Sequence, residues 1–117
     1  MLFRSEGIWH LEQSYLPAML EANAYDTVCH EHVEYYALRQ ILWMTVRCGL
    51  KVIGVETNDV NGGSFAVTVA KEGSRYPADE TAIAAMLAAE EGIGLHSLAP
   101  FEAFRQRVFA QIGRAHV

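Results

Sequence analysis

LKVIGVETNDVNGGSFAVTVAK, residues 50–71, sets two runs of β-branched and small apolar residues on either side of NDVNGG. Asparagine and glycine accept positive φ, so the middle is turn chemistry and the whole predicts an antiparallel hairpin with a broad tip. Upstream, GIWHLEQ (7–13) alternates around Ile8, Trp9 and Leu11 and ends in polar residues, as a strand does when its C-terminal end reaches a cleft. LPAMLEAN (16–23) follows with Pro17 suited to a first helical turn and Leu16, Met19 and Leu20 at helical spacing. A further helix is predicted where Leu38, Ile41, Leu42, Thr45 and Val46 recur at steps of three and four, stopping at Gly49. Beyond the polar break KEGSRYPAD, Asp79 is placed to cap a helix whose stripe is Ala82, Ile83, Met86 and Leu87. Another starts after Pro100 through Phe101, Phe104 and Val108. The order strand, helix, helix, hairpin, helices predicts an α/β fold, the second half of a larger α/β domain.

The chain has 117 residues, 51% hydrophobic and 20% charged, which suits compact globular structure rather than disorder. A net charge of −5, with only nine scattered basic residues, opposes a phosphate backbone, so no nucleic-acid partner is expected. Apolar runs such as AIAAMLAA fall far short of the roughly 18 to 20 residues that cross a bilayer, and no membrane association is expected. Cys29 and Cys48 form no CxxC pair and no disulfide framework, which suits a cytoplasmic protein.

Chemistry gathers in YDTVCHEHVEYY, residues 25–36, with one thiol, two imidazoles, three carboxylates and three phenols. Cys29 and His32 stand three apart and His30 and Glu34 four apart, so either pair could share a helical face. Neither completes a metal site, and HEHVE departs from the HExxH pattern, so no metal is expected. Proton transfer needs only one imidazole and a carboxylate to orient it, and Glu31 and His32 supply both. Adjacent residues diverge on a regular helix, so the pair would have to lie in a loop or first turn. The residues alone leave open whether these histidines move protons, cap a helix or face solvent. Tyr35 is a candidate for a ligand hydroxyl, and Gly62 and Gly63 could admit backbone close to a substrate or simply serve the turn.

EQSYLPAMLEANAYDTVCHEHVEYYALRQI followed by CGLKVIGVETNDVNGGSFAVTVAKEG resembles the class I S-adenosylmethionine-dependent sugar C-methyltransferase family over about residues 7–73. The EH followed by an aromatic pair, and NGGSF at this spacing, carry the likeness. The resemblance implies the C-terminal half of a Rossmann-like class I methyltransferase sheet with an antiparallel hairpin, over residues 1–76. The helical start of a C-terminal domain then covers 77–111. It implies a nucleotide-sugar substrate with a ketone at carbon four, deprotonated at carbon three and methylated there by S-adenosylmethionine. His32 matches the family's base and Glu31 its acidic neighbour, while Asn61, Gly62 and Gly63 would lie near the sugar nucleotide. Many relatives carry tyrosine where Cys29 stands.

The family plan also has a cysteine-rich zinc module, a glycine-rich cofactor loop and an upstream histidine that this sequence does not contain. The chain is thus expected to be a piece of a longer enzyme, inactive alone, with exposed seams that favour self-association. No oligomeric state is implied. A competing reading from another class is a non-catalytic domain that binds a nucleotide sugar or a partner subunit. Finally, QIGRAHV is what the string CAG ATC GGA AGA GCA CAC GTC encodes, and its last twenty bases resemble a sequencing-library adapter, so residues 112–117 are expected to be read-through.

Overall fold

The computed structural model describes residues 6–24, 35–58 and 63–115. In chain order these form β1 (Ile8–Ser14), α1 (Leu16–Ala22), α2 (Leu38–Arg47), β2 (Leu50–Asn58), β3 (Ser64–Lys71), α3 (Glu80–Ile93) and α4 (Ala99–Ala115). The fold is α/β, with a three-stranded antiparallel sheet and four helices among the described residues. Each strand and helix stands where the sequence pattern placed it.

The strand order is β1-β3-β2, and β3 is antiparallel to both neighbours. β1 and β2 therefore run parallel to each other, with the returning arm of the hairpin between them. Six of the eight residues of β3 are buried, which is why its sequence reads as a nearly unbroken apolar run rather than a clean alternation. Its face bearing Phe65, Val67 and Val69 meets Leu38 and Ile41 of α2 and Ile83, Met86 and Leu87 of α3 in the main core. The opposite face carries Ala66, Thr68 and Ala70, with His10 and Glu12 of β1 and Lys51 and Glu56 of β2 registered beside them. Across it the His10 ring and the Thr68 hydroxyl are 3.1 Å apart.

The register slips between Val52 and Gly54, making Ile53 a bulge. Its carbonyl accepts the Asp79 N–H at 2.9 Å. Asp79 in turn caps α3, its carboxylate accepting from the Ala82 N–H at 3.1 Å. The bulge thus anchors the start of α3 to the sheet. At the other end of the molecule Phe101 and Phe104 of α4 pack on a second cluster of Met19, Leu20 and Ala24. Arg107 completes that joint, donating to the Leu20 carbonyl and the Asn23 side chain, each at 2.7 Å, and so adds a charged donor to a carbonyl that otherwise accepts only the long Asn23 N–H bond of 3.4 Å.

Among the described residues β1 pairs with β3 alone, and Ile8 and Trp9 remain about half exposed on it. Among the described residues no helix exceeds the length and apolarity needed to cross a membrane.

Candidate functional site at the carboxyl end of the sheet

Ser14 and Asn58 both register with Ser64, so the carboxyl ends of the parallel strands β1 and β2 meet the start of β3 at one level. Ligands of open α/β sheets bind outside the carboxyl ends of the strands. A cleft of about 710 Å³ lies there, with Tyr15, Ala18, Glu21, Thr57, Asn58 and Gly63 in its wall.

Gly63 earns its place sterically. Its φ is +117°, in the region that favours glycine, and a Cβ added there would run into the Ala18 side chain. Its carbonyl accepts the Tyr15 N–H at 3.0 Å, tying the hairpin to the end of β1. Gly63→Ala is expected to destabilise the chain by more than about 1 kcal/mol, measured by urea unfolding, because the α1 backbone must retreat and the φ is strained. An unchanged midpoint would mean that α1 is not held against the hairpin.

Tyr15 joins the cleft to the core. Its ring packs on Phe65 with centroids 4.7 Å apart, and its hydroxyl donates to Glu90 at 2.6 Å. Glu90, on α3, is only 5% exposed, a setting that carboxylates occupy only when paired. Its Oε2 also accepts the Leu38 N–H at 2.7 Å and its Oε1 the Arg39 N–H at 3.2 Å. These are the first two residues of α2, whose cap position is Ala37, a side chain with nothing to accept them. Gln40 closes the remaining gap, its side chain accepting the Ala37 N–H at 2.9 Å. A buried carboxylate from another helix thus replaces the missing local cap, where the positive end of α2 favours it.

Burial, followed by the hydrogen bond and the negative charge of Glu90, raises the Tyr15 phenol well above its ordinary 10.0. The neutral phenol is the form that the fold prefers. Its stabilising contribution is whole below pH 10, where the unfolded chain also keeps its proton, and fades as pH climbs above that toward the folded value. Wild type is therefore expected to lose stability above pH 10 more steeply than Tyr15→Phe, by up to about 1.4 kcal/mol per pH unit. Parallel slopes in alkaline urea melts would show that this phenol ionises freely in the fold.

Of the residues singled out in sequence, Gly63 lines the cleft and Tyr35 does not. Tyr35 is half-buried against Met19, Leu20 and Ala24. Its neighbour Tyr36 forms a parallel bridge with Tyr15, and its carbonyl accepts the Leu16 N–H at 2.8 Å. His32, Glu31, Cys29 and His30 lie outside the described residues, as do Asn61 and Gly62. Among the described residues no group of three or more histidine, cysteine, aspartate or glutamate side chains could hold a metal. Sequence reasoning missed Glu90, though a signal was there: it stands seven residues after Ile83, on the apolar stripe of α3.

A family model described as the C-methyltransferase C-terminal domain matches residues 59–114, which include β3, α3 and most of α4. The chain is also 34% identical over 114 residues to the C-methyltransferase NovU of Streptomyces niveus. That alignment takes in 95% of this chain and 27% of NovU, so the chain spans about a quarter of the length of the curated relative it matches.

Proposed function

The chain belongs to the C-methyltransferase family, and from that we propose that the protein carrying it transfers a methyl group from S-adenosylmethionine to a carbon beside the ketone of a nucleotide-linked 4-keto deoxysugar. The observation that carries the reading is the cleft at the carboxyl ends of β1 and β2, built by a chain of this family. Parallel β1 and β2 with antiparallel β3 between them support assigning the sheet to the C-terminal half of a Rossmann-like class I methyltransferase domain, residues 1–76. We assign 77–111 to the start of a C-terminal domain.

The described residues do not fit the methyl donor by themselves. β1 enters α1 through Tyr15 and Pro17, without the glycine-rich strand-to-helix turn that lets backbone approach such a ligand. We therefore assign S-adenosylmethionine to other parts of the whole protein, where it would supply an electrophilic methyl group. The chain's own residues act on the sugar. His32 takes the proton from carbon three, the carbon–hydrogen electron pair moves toward the ketone to form an enolate, and Glu31 stabilises the resulting imidazolium. Asn61, Gly62 and Gly63 hold the sugar nucleotide, and Tyr35, packed on Met19, Leu20 and Ala24 rather than lining the cleft, is left out of that set. Glycine at 63 lets Ala18 of α1 pack directly against the hairpin at that wall of the cleft.

The test uses the full-length protein, a nucleotide-linked 4-keto deoxysugar and S-adenosylmethionine labelled in its methyl group. Label on the sugar carbon beside the ketone is expected, with solvent deuterium entering that carbon when the donor is withheld. Label on oxygen or nitrogen, or none, would overturn the reading.

A further inference from the structure

We propose that Glu90 is a positioning residue for the reaction: from α3 it locks the chain leaving the His32 stretch, at Tyr36–Arg39, against the cleft wall formed by Tyr15 and Gly63. The proposal rests on the reading of His32 as the base. One carboxylate binds three donors from two separate segments, the Tyr15 hydroxyl at 2.6 Å, the Leu38 N–H at 2.7 Å and the Arg39 N–H at 3.2 Å. The same two segments are stitched by the Leu16 N–H to Tyr36 carbonyl bond at 2.8 Å, and Tyr15 reaches Gly63 through its own N–H at 3.0 Å. Stability alone asks for less: a serine, threonine or aspartate in place of Ala37 would cap α2 locally. Taking the cap from α3 instead makes the placement of α2's first turn depend on where α3 sits, and gives the cleft wall and the returning chain one shared anchor. Catalysis is sensitive to displacement, a shift of about 1 Å costing on the order of 100-fold in rate, so loosening this anchor is expected to slow the reaction.

Glu90→Gln keeps the size of the side chain but removes its charge and one of its acceptors. In the full-length protein, kcat per folded molecule is expected to fall about 10-fold or more while KM for the sugar nucleotide changes less than about 3-fold. Amide exchange at Leu38 and Arg39 should quicken in the same variant. A purely structural role would reduce the folded fraction and leave kcat per folded molecule unchanged, and that result with quickened exchange overturns the proposal. If Glu90→Gln does not fold, Tyr15→Phe decides, because it removes only the hydroxyl: a kcat lowered at constant KM supports the anchor, and an unchanged kcat overturns it. His32→Asn, run beside them, separates the two levels. Turnover retained in His32→Asn fells the base assignment and the positioning role with it, whereas turnover lost there but kept in the Glu90 variant fells only the positioning role.

Discussion

Turnover of the full-length protein is expected to fall about 100- to 10,000-fold on His32→Asn, with sugar-nucleotide binding held within about 3-fold. Asparagine keeps polarity and approximate size but has no site that accepts a proton near neutral pH, so the exchange removes the chemistry and spares the contacts. In the proposed reaction the neighbouring ketone acidifies the hydrogen at carbon three, yet that hydrogen still needs a base aligned with it at the moment the methyl acceptor forms. Kinetics with labelled methyl donor, together with titration of the sugar nucleotide into the variant, check both halves. Unchanged turnover would remove His32 from the mechanism. Loss of binding in proportion to loss of rate would make it a binding residue.

Glu90→Ala, by contrast, is expected to act on the fold, lowering the unfolding free energy by about 3 to 5 kcal/mol. The substitution strands the Tyr15 hydroxyl and the N–H groups of Leu38 and Arg39 and removes the charge that complements the start of α2. Against a total of about 5 to 15 kcal/mol for an ordinary domain, that is a large share. The adjacent Glu91 is the natural control. It pairs with Arg39 at 3.2 Å, but both side chains are more than 60% exposed. Glu91→Ala should shift stability by less than about 0.5 kcal/mol in the same urea titration. Equal effects at positions 90 and 91 would show that the buried carboxylate is not what holds α2 to α3.

The contrast between these neighbours shows how far the residues could be read unaided. Each strand and helix followed from a local pattern: the β-branched runs flanking NDVNGG, Pro17 in a first turn, Asp79 before an apolar stripe, the three-and-four spacing from Leu38 to Val46. Such patterns report which side chains one element buries, and they need no knowledge of what lies opposite. Glu90 and Glu91 look alike to that kind of reading. Only the docking of α3 beside the start of α2 makes one a buried triple acceptor and leaves the other in solvent.

The candidate site divides the same way. Gly63 was marked by turn chemistry, but the reason it must be glycine is Ala18, forty-five positions earlier and on a different element. That Glu31 and His32 are candidates for proton transfer was legible from residue type, and the family likeness from the combination of EH, an aromatic pair and NGGSF. Local pattern was enough for the elements, for the family likeness and for naming Glu31 and His32 as proton-transfer candidates, because helical periodicity, turn propensity and side-chain chemistry are local properties. Tertiary structure alone decided that β3 returns between β1 and β2, that their carboxyl ends open on one cleft, and that Glu90 of α3 binds Tyr15 and caps α2. Those outcomes depend on burial and hydrogen-bond completion between segments as far apart as residues 15 and 90, where each donor finds its acceptor only after the chain has packed.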